Sequence, residues 1–194
     1  AALSLIVLFT AGENYPSEIN MAGRYLKNNV VERKLSNGIT VLLMNRGYSP
    51  TVALEISFRA GSVDESYNTS GAAHVLEHMF FKGTENFGTK DYSSEKKILN
   101  RIEAVGETID RLRLEDPRNA MIPRFESELK SLQKQHAQFG DNNTYDMVYS
   151  INGGVGFNAG TSKDMTSYVV QLPSSRLELW AQVESERLKK PVLR

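Results

Sequence analysis

Residues 70–84 constrain the fold of this chain more than any other stretch, because a helical pattern and a set of polar side chains coincide there. Ser70 and Gly83 are residue types that commonly flank the two ends of a helix. A period of about 3.6 residues places two sets of residues on opposite sides of that helix: His74, Glu77, His78 and Phe81 on one, and Val75, Leu76, Met79 and Phe80 on the other. The stretch therefore predicts one helix that gathers two imidazoles and a carboxylate.

The histidine pair predicts a metal site. His74 and His78 stand at positions i and i+4, one helical turn apart, which is the spacing that two ligands of one zinc ion need. Glu77 faces the same place, where a general base takes the proton of a zinc-bound water as that water attacks a carbonyl. The order His-x-x-Glu-His is the inverzincin pattern, the reverse of the commoner zincin order. We predict two ligands and a base; the alternative is a helix with an exposed polar face.

Three segments of the chain resemble one known family. Residues 71–84 look like the zinc-site signature of the M16 metallopeptidases, the family of pitrilysin, insulin-degrading enzyme and mitochondrial processing peptidase. Residues 158–168 are similar to the Asn-Ala-x-Thr-Ser strand pair of that family, and residues 35–43 resemble its opening hairpin. The resemblance covers most of residues 30–194 and implies a zinc-site domain from the N-terminal part of such a protein.

The resemblance also implies an activity and a mode of substrate binding. It implies a zinc-dependent endopeptidase, with one zinc ion, that hydrolyses extended peptides or unfolded protein segments. The strand with Asn158 and Ala159 would be an open edge to which the substrate adds through backbone hydrogen bonds; an ordinary strand entry is the alternative. Some relatives are non-catalytic scaffolds or peptide-holding subunits, but a scaffold does not need two ligands and a base together.

The family's third zinc ligand is a glutamate on a later helix. The family pattern, laid on this chain, places that glutamate roughly a dozen residues beyond Arg194. The resemblance therefore implies an incomplete zinc site, weak zinc binding and little peptidase activity for these residues alone. It further implies a second, similar half, in the same protein or in a partner subunit, as a homo- or hetero-dimer. The remaining acids of the final helix are expected on a solvated face, with Glu184 the nearest substitute ligand: Glu178, Glu184 and Glu186.

The composition excludes several other classes of function. Lys and Arg together number 23, as do Asp and Glu, so the formal net charge is zero and the basic footprint of a nucleic-acid-binding protein is missing. The 194-residue chain contains no cysteine, which excludes disulfides, thiol nucleophiles and cysteine-based zinc sites. A closed structural zinc site is disfavoured as well, because it needs four protein ligands. The length favours one domain.

Residues 1–12 are apolar and end in small residues, which is typical of the tail of a secretory signal peptide. They are too short to cross a bilayer comfortably, so we expect no stable membrane span. This pattern predicts a periplasmic or secreted protein. The alternative is a core strand or an ordinary N-terminal arm, which would suit a cytoplasmic protein equally well.

The remaining pattern predicts an α+β fold in which a mostly antiparallel sheet packs against helices. Asn37-Gly38 is a tight-turn pair that predicts a hairpin from the flanking residues 30–35 and 39–44. Three more strands are predicted at 51–60, 157–162 and 165–172 because their apolar residues alternate or run together. Residues 140–156 are rich in Gly, Asn and Asp and predict a loop.

Two further helical regions are predicted. Apolar residues spaced by three and four on both sides of Pro117 predict an inserted antiparallel helical hairpin at about 94–140, capped by Ser93 or Ser94, with His136 packed in its seam or at the rim. Ser175 and Glu178 form a capping-box pattern that opens the final helix. The residues of that helix expected to face the core are Leu177, Trp180, Ala181 and Leu188.

Overall fold

The computed structural model describes residues 23–45, 47, 49–140 and 144–194. The predicted signal-peptide tail at residues 1–12 lies outside the described residues. The chain divides into two compact units: the first contains the described residues up to Glu77 together with Tyr149–Trp180, and the second contains His78–Val148 and Ala181–Arg194. All described strand pairs are antiparallel, and helices make up much of the remainder. The predicted α+β class is confirmed.

The first unit begins with the predicted hairpin. Residues 23–29 are helical, and strands β1 (Val30–Lys34) and β2 (Thr40–Met44) then pair in a two-stranded sheet. Gly38 at the turn has φ +88°, a left-handed conformation that glycine adopts without a steric cost. Asn37 supports the turn, because its Oδ1 accepts a hydrogen bond from the Ile39 amide at 3.2 Å. The Asn-Gly signal was therefore sufficient to locate this hairpin.

A second, three-stranded sheet follows from β3 (Thr51–Phe58), β4 (Val155–Thr161) and β5 (Thr166–Pro173), in the order β3-β5-β4. Alternate residues of β5 are buried and form much of the core of this unit: Thr166, Tyr168, Val170 and Leu172. The register of β4 shifts between Val155 and Asn158, where Gly156 has φ +66°, as expected for a β-bulge. Among the described strands, β3 and β4 are the two edges of this sheet.

The α-helices that follow residues 23–29 are named in chain order: α1 (Ala72–Met79), α2 (Tyr92–Glu115), α3 (Ile122–His136), α4 (Thr144–Ile151) and α5 (Leu177–Lys189). None of the helices in the described part of the chain is long and apolar enough to cross a membrane.

Helix α4 corrects the loop predicted at residues 140–156. Its apolar residues follow helical spacing, and both Tyr145 and Tyr149 are buried. The Tyr149 ring lies 4.9 Å from that of Phe157, centroid to centroid, whereas Tyr145 stacks on Phe87 in the second unit at 5.7 Å. Burial raises the pKa of the Tyr145 hydroxyl. Eight residues carry a weak periodic signal, and the surrounding glycines and asparagines concealed it.

The helical hairpin of the second unit is confirmed. Helices α2 and α3 pack together around the buried Val105 and Ile109, and an ion pair joins Arg113 Nη2 to Glu126 Oε1 at 2.7 Å. The predicted cap is wrong, however, because Asp91 rather than Ser93 or Ser94 caps α2. The Asp91 Oδ1 accepts a hydrogen bond from the Ser94 amide at 3.1 Å. That the hairpin is an insertion relative to the family stays a prediction.

A buried glutamate links the hairpin to the end of the chain. Glu95 on α2 has no exposed surface. The Arg194 guanidinium donates to both of its oxygens, from Nε to Oε1 at 2.6 Å and from Nη2 to Oε2 at 3.0 Å. His136 Nε2 lies 2.8 Å from Oε1, and the His136 side chain is 17% exposed. His136 is therefore a packed histidine at the rim of the seam, as predicted.

Helix α5 corrects two expectations. The predicted capping box does not form, since a 3₁₀ turn at Ser174–Arg176 precedes the helix. Leu177 and Ala181 are exposed and Trp180 and Leu188 are only half-buried, while the residues buried most deeply are Val183, Glu184 and Arg187. Arg187 Nε donates to Glu184 Oε2 at 2.8 Å. This ion pair lets two charged residues occupy a buried face that apolar periodicity does not predict.

The predicted solvated-face role of the α5 acids is correct for one of the three. Glu178 is exposed. Glu184 is 3% exposed, so the prediction is wrong there. Glu186 is half-buried and its Oε1 accepts hydrogen bonds from Thr84 Oγ1 at 2.8 Å and Asn86 Nδ2 at 2.7 Å. Both carboxylates are engaged in structural contacts within the second unit.

Candidate active site

Helix α1 places the three predicted site residues in two different environments. His74 and His78 are exposed, while Glu77 is 6% exposed. The helix ends at Met79, so the predicted continuation to Phe81 is not helical. Val75 and Leu76, on the opposite side of the helical wheel, are 60% and 46% exposed. The site residues are thus two accessible imidazoles with a sequestered carboxylate between them in sequence.

The N-terminus of α1 is held by Glu65 rather than by the predicted Ser70. The Glu65 carboxylate accepts hydrogen bonds from the Gly71 amide to Oε2 at 2.7 Å and from the Ala73 amide to Oε1 at 2.8 Å. These amides would otherwise lack partners in the first turn of the helix. The bonds from Ala73 and Gly71 lower the pKa of Glu65. Sequence reasoning missed this cap because the side chain arrives from six residues upstream.

The loop that carries Glu65 is fixed to the turn between β4 and β5. The amides of Ser62 and Val63 donate to the carbonyls of Ser162 and Lys163 at 3.2 and 2.7 Å. Gly61 is required at this junction, since a Cβ atom there would lie 2.4 Å from the Ser162 carbonyl oxygen. The start of the site helix is therefore anchored to the sheet.

Glu77 is held from the same sheet. Its Oε2 accepts a hydrogen bond from Thr161 Oγ1 at 2.7 Å. Thr161 is the last residue of β4 and pairs with Thr166, the first residue of β5. Sequence reasoning named neither threonine, although Thr161 stands within the Asn-Ala-x-Thr-Ser segment. The motif itself was the available signal.

The predicted substrate-binding residues lie earlier on β4. Asn158 pairs with Val169 of β5 and is exposed, and Ala159 pairs with Tyr168 and is half-buried. Among the described strands, β4 pairs with β5 on one side only. Its opposite edge can therefore accept a further strand. Their role in binding a substrate stays a prediction.

A cleft of about 440 Å³ opens beside these elements. His74 and Thr161 line it together with Glu65, Ser162 and Lys163. It therefore reaches from the exposed imidazole of α1 to the strand end that holds Glu77.

The donor set fits a zinc ion in part. Two imidazoles one helical turn apart supply the nitrogen ligands that zinc prefers. Within residues 23–45, 47, 49–140 and 144–194, no group of three or more His, Asp or Glu side chains is placed to hold a metal ion. Glu184, the substitute considered from sequence, is paired with Arg187. The described residues thus offer two imidazoles and a neighbouring carboxylate.

Comparison with known proteins relates this segment to a peptidase family. A profile of the family "Insulinase (Peptidase family M16)" matches residues 40–121, which include the site helix. The segment that contains the site helix is therefore similar to the M16 family. An "Uncharacterized zinc protease" from Rickettsia bellii is 40% identical over 70 residues, 36% of this chain and 17% of that protein. A "Probable mitochondrial-processing peptidase subunit beta" from Schizosaccharomyces pombe is 43% identical over 56 residues, 29% of this chain and 12% of that protein.

Two solved protease structures share the fold. A protease from Helicobacter pylori superposes with a TM-score of 0.55 at 19% identity, over 85% of this chain and 27% of that one. The first half of the periplasmic protease PqqL from Escherichia coli gives 0.51 at 20% identity, over 84% and 25%. The chain spans about a quarter of these structures and aligns with less than a fifth of the two curated relatives. The structural similarity thus extends well beyond residues 40–121.

Proposed function

We propose that the protein is a zinc-dependent endopeptidase of the M16 family that hydrolyses extended peptides or unfolded protein segments. The observation that carries this proposal is the arrangement on α1, where exposed His74 and His78 flank a buried Glu77. The peptidase names of the relatives support the class of reaction.

His74 and His78 would hold the metal, and Glu77 would act as general base. Zinc, when bound, supplies a Lewis acid and lowers the pKa of a coordinated water. The Glu77 carboxylate accepts the proton of the attacking water and delivers it to the nitrogen of the leaving amine. Burial restricts the Glu77 carboxylate to few orientations, which favours transfer of the proton to the nitrogen of the leaving amine.

The substrate would add to β4. Backbone hydrogen bonds at Asn158 and Ala159 give affinity that is largely independent of side chains. That mode suits a peptidase for unfolded segments, because such substrates present their main chain. The open edge of β4 and the adjacent cleft support this assignment.

Two further parts would complete the proposed enzyme. The third zinc ligand is proposed to be a glutamate beyond Arg194, and a second half, in the same protein or in a partner subunit, would enclose the substrate. The apolar residues 1–12 support a periplasmic or secreted location, and one structural neighbour is titled a periplasmic protease.

The test is metal analysis beside a peptidase assay on the purified full-length protein. Wild type should contain about one zinc per chain and cleave an unfolded polypeptide; Glu77→Gln should keep the metal and lose hydrolysis, because the amide cannot accept the proton. His74→Ala and His78→Ala should lose both. Glu103→Gln, an exposed site on α2, is the control and should behave as wild type.

An undiminished rate for Glu77→Gln would refute the proposed base. Bound zinc without hydrolysis in wild type would instead indicate the non-catalytic, peptide-holding alternative. Tight zinc binding by the 194-residue chain that is lost on Glu184→Gln would place the third ligand within this sequence, against the ion pair seen with Arg187.

A further inference from the structure

We infer that Thr161 is a positioning residue for Glu77: its hydroxyl fixes the carboxylate in the orientation that proton transfer requires. The inference rests on the proposed function, because it assigns a role to the residue proposed as the base. It adds a residue of the sheet to a site that the sequence motif places entirely on one helix.

The hydrogen bond is direct and has one direction. Thr161 Oγ1 lies 2.7 Å from Glu77 Oε2, and a carboxylate can only accept, so the hydroxyl donates. A threonine hydroxyl carries a single proton. Thr161 can therefore donate to Glu77 only if it does not donate to its other neighbour, the Thr166 hydroxyl.

The contacts of Thr166 leave the Thr161 proton for Glu77. Its Oγ1 lies 2.9 Å from the Ala60 carbonyl oxygen and 3.3 Å from Thr161 Oγ1. The carbonyl can only accept, so the shorter contact takes the Thr166 proton. Thr161 then gives its own proton to Glu77. The two hydroxyls form an ordered series in which each donates to an oxygen that cannot donate in return.

The backbone keeps Thr161 in place. Thr161 pairs with Thr166 at the closed end of the β4–β5 hairpin, and the Ser162 amide donates to the Met165 carbonyl at 2.7 Å across the turn. A β-branched side chain has few χ1 rotamers in a strand. The hydroxyl is thus a rigid donor to Oε2, and the proton of the attacking water would pass to Oε1.

This arrangement predicts that loss of the hydroxyl affects the chemical step more than substrate binding. A displacement of about 1 Å in a reacting group can cost on the order of 10²-fold in rate. We expect a fall in kcat of roughly 10- to 100-fold with little change in KM. Zinc content should not change, since among the described residues the Thr161 hydroxyl contacts Glu77 and Thr166 and neither proposed ligand.

The experiment compares three variants of the full-length protein. Thr161→Val removes the hydroxyl at nearly constant shape, and Thr161→Ser keeps it. Thr51→Val is the matched control, because Thr51 starts β3 of the same sheet and its hydroxyl contacts Ser49 at 2.7 Å. Measurements are kcat, KM, zinc content and a crystal structure that shows the Glu77 carboxylate.

The expected result is a low kcat and a displaced or multiply placed Glu77 carboxylate in Thr161→Val, with near-normal behaviour in Thr161→Ser and Thr51→Val. Should valine prevent folding, Thr161→Ala replaces it in the same measurements. A wild-type Glu77 position in the hydroxyl-free variant would overturn the inference, as would equal losses in Thr161→Ser and Thr161→Val. The Glu77 position needs no activity, so failure here is distinguishable from an active Glu77→Gln, which would refute the proposed function instead.

Discussion

Two buried glutamates, Glu77 in the first unit and Glu95 in the second, differ in what surrounds them. Glu77 accepts a hydrogen bond from a neutral hydroxyl of Thr161. Glu95 accepts bonds from the Arg194 guanidinium and lies against the His136 ring. The Arg194 guanidinium neutralises and fixes the Glu95 carboxylate, whereas the Thr161 hydroxyl donates to one oxygen of Glu77 and carries no charge. The difference separates a structural carboxylate from a candidate base.

The partners of Glu95 also explain the direction of its pKa shift. Burial by itself would raise the pKa of Glu95, but hydrogen bonds from Arg194, Thr89 and His136 outweigh burial and leave the pKa below its ordinary value of 4.5. The folded state therefore binds the proton less readily than the unfolded chain does. Glu95 stabilises the fold through its charged form.

The largest expected effects come from the same substitution at both glutamates. Glu77→Gln should reduce hydrolysis by on the order of 10²- to 10⁴-fold with little change in stability. Glu95→Gln should lower the free energy of unfolding by about 3–5 kcal/mol, because it leaves the buried Arg194 charge without its partner. Peptidase assays and urea unfolding of both variants measure this contrast. Equal stability losses would show that the two sites do not differ as proposed.

A smaller effect is expected at the junction that supports the site helix. Gly61→Ala should lower the free energy of unfolding by about 1–3 kcal/mol, because the new Cβ would lie 2.4 Å from the Ser162 carbonyl oxygen. Gly106→Ala in α2 is the control: its Cβ meets no atom within 4 Å, and alanine should stabilise a helix by about 0.5–1 kcal/mol. Thermal unfolding of both variants would reveal opposite signs; a stable Gly61→Ala would mean that the loop is free to move.

The two edges of the three-stranded sheet provide the next comparison. Ala159→Pro on β4 should weaken binding of a peptide by about tenfold, through a ring on the edge and the loss of a backbone donor. Ala53→Pro on β3 makes the same change on the other edge and should leave peptide affinity unaltered in folded protein. Affinity measured with zinc-loaded Glu77→Gln as background avoids hydrolysis. Unchanged affinity in Ala159→Pro would remove β4 from the proposed binding site.

The pH dependence of the free energy of unfolding should reveal the contribution of Glu95. The pKa of Glu95 is lowered on folding, so its contribution is fully present above the unfolded value of 4.5 and is lost as pH falls through the folded pKa. Glu95→Gln lacks this contribution and should show a shallower loss of stability below pH 4.5. Urea titrations between neutral and acid pH measure how steeply the free energy of unfolding falls with pH. An unchanged slope would show that Glu95 is not the group that titrates.

The smallest effect is expected at the cap of α1. Glu65→Gln removes the charge that the first-turn amides favour and should increase hydrogen exchange at Gly71 and Ala73, whose amides donate to this carboxylate. Exchange at Ser94, capped by Asp91 on α2, is the internal reference and should stay constant. Equal exchange at Gly71 and Ala73 in both proteins would show that another group caps the helix.

Much of the fold followed from local patterns. Asn37-Gly38 located the first hairpin because that pair favours the turn itself. The spacing of Val105 and Ile109 located the α2–α3 hairpin because burial follows the helical period. Helix α4 was missed since its short apolar repeat lies among loop-forming residues, and the buried face of α5 was mispredicted because an ion pair replaces apolar side chains there.

The sequence by itself identified the candidate site, because His74, Glu77 and His78 are recognised from their spacing along one helix. The tertiary structure decided which groups hold these residues in place. Thr161 and Glu77 are 84 residues apart and Arg194 and Glu95 are 99 apart, so no local period records either contact. Burial of a carboxylate depends on what the distant chain brings to it, which is why only the folded protein distinguishes the proposed base from the structural glutamate.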